Sequence, residues 1–223
     1  MPEETFSRRL TAEFLGTALL VAAVVGSGIM AERLADGNQA VALLANTIAT
    51  GAALFVLIVM FAPLSGAHFN TLVSIGAAVN RDITSRDAAA YVGGQVAGGI
   101  LGSMAANAMF GLPAIQLATK VRTGGHLWLA ESVATFGLVG VIIAVSRRQS
   151  VIVVAAAVAL YITAAYWFTS STSFANPAVT IARMFSDTFT GIRPIDVGPF
   201  IAAQFAGAAA ATGLFNWLFP KEK

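Results

Sequence analysis

Thr169-Ser170-Ser171-Thr172-Ser173-Phe174-Ala175-Asn176-Pro177-Ala178-Val179-Thr180-Ile181-Ala182-Arg183-Met184-Phe185-Ser186 is the stretch that decides the fold of this 223-residue chain. A run of small polar residues leads into Asn176, and 11 residues, Asn176 to Ser186, pass before the polar turn at Asp187. A degenerate copy precedes it: Ser65-Gly66-Ala67-His68 leads to Asn70-Thr71-Leu72, and 11 residues, Asn70 to Asn80, pass before Arg81-Asp82. Eleven residues of helix measure about 16 Å, half of a hydrocarbon core about 30 Å thick. Both segments therefore read as re-entrant half-helices. Non-helical backbone is tolerable at membrane depth only where it is packed in protein or lines a wet cavity, so the pair predicts a water-filled path.

The rest of the chain supplies the membrane setting. It is 57% hydrophobic and 11% charged, with a mean hydropathy of +0.77. Apolar stretches run approximately over 11–33, 39–63, 88–110, 127–146, 150–169 and 197–219, each with about the 20 residues a span needs. The expected fold is an all-α membrane protein with six transmembrane helices and two re-entrant half-helices, one channel domain over residues 1–223. Little chain is left for a soluble catalytic head or a nucleic-acid module, and a net charge of +2 is too scattered for polyanion binding. Arg8 and Arg9 ahead of an apolar run resemble a signal peptide, but the run is about twice the usual length and reads as the first span. Zero cysteines exclude disulfides and thiolate metal sites, and neither metal nor cofactor is expected.

With both termini cytoplasmic, the inner side holds Arg8, Arg9, Arg81, Arg86, Arg147, Arg148, Lys221 and Lys223, against Arg33, Lys120, Arg122, Arg183 and Arg193 outside. Eight against five favours that orientation.

The order glutamate, asparagine, glutamine occurs twice. Ala12-Glu13 opens the first span and Ala130-Glu131 lies near the start of the fourth; Gln95-Val96-Ala97-Gly98 is echoed by Gln204-Phe205-Ala206-Gly207, with Asn70 and Asn176 between. Three spans per half is odd, which turns the halves, approximately 8–110 and 126–219, into an inverted 3+3 repeat. The asparagines then meet at mid-depth from opposite sides. Each side-chain oxygen accepts from the first turn of its half-helix and leaves an NH₂ group for the cavity, while Pro177 fits the first helical position. Two helix N-termini at the centre repel cations.

Ser-Gly-Ala-His-x-Asn before the first half-helix, Asn-Pro-Ala in the second and the paired span glutamates together resemble the aquaporin and aquaglyceroporin (major intrinsic protein) family. The resemblance covers essentially the whole chain. It implies one pore per subunit, a homotetramer in the lipid bilayer, and passive passage of water and small neutral solutes such as glycerol. It also gives Glu13 and Glu131 the role of accepting from loop N–H groups, with His68 in the supporting loop.

The departures carry the specificity. Thr71-Leu72 stands where the family has Pro-Ala, which predicts a reshaped but intact centre around Asn70, Thr71, Leu72, Asn176, Pro177 and Ala178. Val179 stands where the family places its filter arginine; counted by offset, the other filter positions fall on Thr50, Ala164 and Ser173. All four are small or medium, so the constriction is expected to be wide and uncharged. Arg183, four residues past Val179 on one helical face, is a candidate for the outer vestibule or an ion-pair partner of Asp187. A filter without arginine resembles the bacterial branch associated with arsenic resistance, which implies arsenious acid and methylated arsenicals as cargo and a bacterial inner (plasma) membrane as location.

The rival class is an ion-coupled secondary transporter, which shares inverted repeats but needs coupling-ion ligands or titratable residues along its path. An intramembrane hydrolase needs a nucleophile beside a base; with two histidines, no cysteine and no Gly-x-Ser-x-Gly elbow, no enzyme is expected.

Overall fold

In the computed structural model, residues 5–221 are described, and among them only helices form. Lys223, counted above with the inner charges, lies outside the described residues. In chain order the helices are α1 (Phe6–Leu34), α2 (Gln39–Ser65), α3 (Thr71–Val79), α4 (Ser85–Met109), α5 (Gly125–Ser146), α6 (Val151–Phe168), α7 (Pro177–Arg183) and α8 (Pro194–Leu218). Their starts follow from local chemistry. Asn38 accepts from Ala40 and Val41 N–H at the head of α2, Thr84 from Asp87 N–H at α4, and prolines open α7 and α8, where no N–H is required. Gly66, at φ 88°, ends α2 in the left-handed conformation.

Five helices are both long and apolar enough to span on their own hydropathy: α1, α2, α5, α6 and α8. The remaining long helix, α4, has 25 residues but is diluted by glycines and by Gln95, Ser103 and Asn107, all fully buried. Its polar groups face protein, because α4 packs along α1. A Cβ on Gly98 would lie 2.2 Å from Phe14 O, and one on Gly102 2.2 Å from Ala18 O, so only glycine lets the two backbones touch. The second half repeats the device, with Gly207 of α8 placing a Cβ 2.2 Å from Ser132 O of α5. Each glycine sits three residues after the glutamine of its half, Gln95 or Gln204, and against the residue that follows the glutamate, Phe14 or Ser132.

The half-helices are shorter than the 11-residue segments expected, 9 residues in α3 and 7 in α7. Side chains and backbone from elsewhere take the carbonyls that further turns would use. Ser103 Oγ donates to Ala182 O at 2.8 Å, Asn107 Nδ2 to Phe185 O at 3.0 Å, and Ala118 N to Met184 O at 2.8 Å. Set end to end, the two half-helices span about 24 Å, close to a hydrocarbon core.

Both ends of the described residues lie at one end of the bundle. Arg9 pairs with Asp87 at 3.1 Å and Lys221 with Asp82 at 2.6 Å, while Arg147 donates to Asn216 Oδ1 and Phe219 O. At the other end Arg33 donates to Phe110 O, Lys120 to Phe189 O and Arg193 to Thr123 Oγ1.

Replacing Gly207 by alanine is expected to lower the thermal unfolding midpoint of the detergent-solubilised protein by several degrees, as overpacking typically costs about 1–3 kcal/mol. Gly213, with no atom within 4 Å of its virtual Cβ, is the control; equal shifts for Gly207→Ala and Gly213→Ala would remove the close-packing argument.

Candidate functional site

The two re-entrant loops are built from backbone that non-glycine residues rarely adopt. Ala67 and Phe69 before Asn70, and Thr172, Ser173 and Ala175 before Asn176, all have φ between 46° and 62°, a conformation that costs on the order of 1 kcal/mol per residue. What holds them is a buried carboxylate in each half. Glu13 accepts from Ser65 Oγ (2.6 Å), His68 N (2.9 Å), Phe69 N (2.8 Å) and Gln95 Nε2 (2.8 Å). Glu131 accepts from Phe174 N (2.9 Å), Ala175 N (2.9 Å) and Gln204 Nε2 (2.6 Å). Each glutamine reaches on to the half-helix, Gln95 to Ser74 Oγ and Gln204 to Thr180 Oγ1, both at 2.9 Å. Fully buried charges are tolerable only when satisfied in this way. His68 Nδ1 meets Ser74 Oγ at 3.1 Å, inside the same network.

The left-handed residue before each asparagine turns its carbonyl toward the opposite asparagine. Asn70 Nδ2 donates to Ala175 O at 2.8 Å and Asn176 Nδ2 to Phe69 O at 2.7 Å. Each Oδ1 caps its own helix: Asn70 accepts from Leu72 N, and Asn176 from Ala178 N and Val179 N. One N–H of each amide is thus committed across the centre, and the other remains for the cavity. Leu72 does not crowd this junction, because its side chain packs with Val139 and Ile143 of α5 and Ala208 and Ala211 of α8. Thr71 and Ala178 are buried, as is Pro177 at the first turn.

Asn70 and Asn176 both line a cavity of about 390 Å³. At one end it is bordered by Asn80, Asp82, Arg147 and Lys221, at the other by Thr50, Tyr166, Ser173, Phe174, Val179 and Arg183. Between these, apolar side chains such as Leu54, Leu138 and Val158 form the wall.

A model of the "Major intrinsic protein" family matches residues 1–151. The chain belongs to this family. It is 56% identical over 220 residues to "Aquaglyceroporin AqpS" of Rhizobium meliloti (strain 1021), covering 98% of this chain and 93% of that protein. It is 29% identical over 214 residues to "Aquaporin NIP1-4" of Oryza sativa subsp. japonica, covering 95% and 77%. The fold matches the solved aquaglyceroporin from Plasmodium falciparum with a TM-score of 0.75 over 96% of each chain, at 21% identity. The protein is accordingly an integral membrane channel for water and small solutes, and not an enzyme.

Within this channel, three of the four positions expected at the filter line the cavity: Thr50, Ser173 and Val179. Ala164 does not; it is exposed on the outer surface of α6. The cavity face of α6 is Val154, Val158, Ile162 and Tyr166, spaced by four, and Ala164 lies about 200° round the helix from Ile162 or Tyr166. Counting back from the asparagine lands on the wrong face, because the irregular loop between α6 and α7 breaks the register. Tyr166 faces the cavity instead, its hydroxyl 3.4 Å from Thr50 Oγ1.

Arg183 borders the cavity beyond Val179 and does not pair with Asp187. It is 2% exposed, its Nε donates to Thr190 O at 2.6 Å, and its guanidinium lies 3.4 Å from the centroid of the Phe174 ring. Asp187 instead accepts from Thr119 N and Oγ1. The end of the cavity opposite Asn80 and Lys221 is therefore charged, one turn beyond Val179. Arg122, from the loop between α4 and α5, packs against the same ring at 4.8 Å and donates to Gly191 O and Ser171 O. No sequence spacing connects Arg122 to the site, since 61 residues separate it from Arg183. Lys120, two residues earlier in that loop, has its pKa lowered to about 8, first by burial and then by Arg122 and Arg183; it holds its proton below that pH and loses it above.

Glu131→Gln places an amide hydrogen against donors that the carboxylate now satisfies. Loss of charge-assisted hydrogen bonds is expected to cost more than about 2 kcal/mol, read as a lower unfolding midpoint together with loss of glycerol flux in proteoliposomes. A variant with wild-type midpoint and flux would show that the second loop does not depend on this acceptor.

Proposed function

We propose that this protein is a passive channel whose outer filter admits uncharged solutes larger than water, glycerol-like polyols and neutral metalloid hydroxides such as arsenious acid and methylated arsenicals. The observation that carries the reading is Val179: it lines the cavity near the asparagine pair, and its isopropyl group adds neither a donor nor a charge to the pore wall. Thr50 and Ser173, both small, border the same zone. The asparagine amides offer hydrogen to a passing hydroxyl, and the apolar wall accommodates the carbon or arsenic skeleton on the opposite side, a pairing suited to amphipathic polyols.

The pore-centre set is Asn70, Thr71, Leu72, Asn176, Pro177 and Ala178, with Glu13, Glu131 and His68 in support. The whole chain acts as one channel domain of two inverted repeats, approximately 8–110 and 126–219. Both termini face the cytoplasm of a bacterial inner membrane, and the working unit is a homotetramer with one pore per subunit.

Stopped-flow light scattering on proteoliposomes tests this directly. Water, glycerol and arsenious acid are each expected to cross faster than in protein-free vesicles, linearly with gradient and without proton or sodium coupling. Val179→Arg is expected to cut glycerol and arsenious acid flux at least about tenfold while reducing water flux much less, since a guanidinium occupies volume the larger solutes need. Equal losses for all three solutes would remove Val179 from the narrow zone, and saturable, gradient-coupled flux would replace the channel by a transporter.

A further inference from the structure

One buried guanidinium, Arg183, borders the cavity beyond Val179, and a second, Arg122, packs on the same Phe174 ring, neither with a carboxylate against its guanidinium. Arg183 is 2% and Arg122 7% exposed, and they share the Phe174 ring at 3.4 and 4.8 Å. Their guanidinium hydrogen bonds go to backbone carbonyls: Thr190 O from Arg183, Gly191 O and Ser171 O from Arg122. The ion pairs among the described residues involve Arg9, Arg193 and Lys221 instead. Two buried acids lie nearby and are already engaged: Glu131 accepts three hydrogen bonds from the loop and Gln204, and Asp196 accepts from Arg122 N, Thr123 Oγ1 and Arg193 Nε. Neutral carbonyls satisfy donors but do not cancel charge, and neither guanidinium has a carboxylate in direct contact among the described residues.

A second, independent feature lies beside Arg183. Ser173 Oγ is buried, lines the same cavity and has no hydrogen-bond partner among the described residues. Ser173 directly precedes Phe174, the ring on which the Arg183 guanidinium rests, so the orphaned hydroxyl and the cation belong to one corner of the pore. The Thr50 and Tyr166 hydroxyls border the same end. A guanidinium presents a planar fork that matches two coplanar oxygens, and a hydroxyl adds a third donor.

We propose that this corner is a binding site for a small monovalent oxyanion of the carboxylate type, held by the Arg183 fork and Ser173 Oγ, with Arg122 contributing charge through its position behind Phe174. The anion lodges in the path of neutral solutes and competes with them. The proposal rests on the channel reading for its competition readout and stands on its own geometry for binding.

The test uses full-length protein in proteoliposomes, with sodium formate or sodium chloride at equal concentration on both sides of the membrane. Formate is expected to slow wild-type glycerol flux relative to chloride. Each variant is referred to its own flux in chloride. Arg183→Met is expected to raise the formate concentration for half-inhibition about tenfold or more, Arg183→Lys less, and Ser173→Ala about threefold, as a charge-assisted bond outweighs a neutral one. Titration calorimetry of formate into the detergent-solubilised wild type and the same variants reads binding without transport. Glycerol flux that formate leaves untouched, together with no calorimetric binding, overturns the proposal, as does equal inhibition of wild type and Arg183→Met. Wild-type vesicles that pass no glycerol overturn the channel reading instead, and calorimetry then decides the anion site alone: tighter formate binding to wild type than to Ser173→Ala and Arg183→Lys upholds it, and equal or absent binding ends it.

Discussion

Everything at the centre of this channel depends on two buried carboxylates gripping strained backbone. Left-handed residues before each asparagine are unfavourable for side chains other than glycine, yet Phe69 and Ala175 adopt that conformation. Glu13 and Glu131 accept the N–H groups this conformation exposes, and the same turn of the chain directs the Phe69 and Ala175 carbonyls at the opposite asparagine. The cost of burying a charge is thereby used to fix the geometry of neutral pore-lining groups.

That grip requires helices at unusually short range. Gln95 and Gln204 each bridge a glutamate to a half-helix, and they reach because Gly98 and Gly207, three residues on, let α4 and α8 lie against the backbones of α1 and α5. Close packing of small residues substitutes for the hydrophobic effect, which is absent between helices in lipid. It also explains why α4, the long helix too polar to span on hydropathy alone, has a place in the bundle.

The chemistry of the pore is graded along its length. At mid-depth the asparagine amides are neutral donors facing an apolar wall, and beyond them Val179 leaves a stretch without charge. The charge reappears with Arg183, one helical turn further along, whose guanidinium shares the Phe174 ring with Arg122.

Local sequence determined the periodic and the chemically unique parts of this protein: membrane helices from apolar length, half-helices from capped asparagines, paired glutamates from the need to satisfy an acid in lipid, and three cavity-lining positions close in sequence to a motif or on a regular helix face. Only the tertiary structure decided what depends on rotation and on distant chain. Ala164 was assigned across an irregular loop where helical phase is lost, and Tyr166 holds the inward face instead. Asp187 lay at the right spacing for Arg183, but Thr119 from another loop took it, leaving the guanidinium to Thr190 O and Phe174. Arg122 carries no local signal at all. Spacing encodes which residues share a helical face; it does not encode which competing partner, brought from elsewhere in the chain, satisfies a side chain once that face is buried.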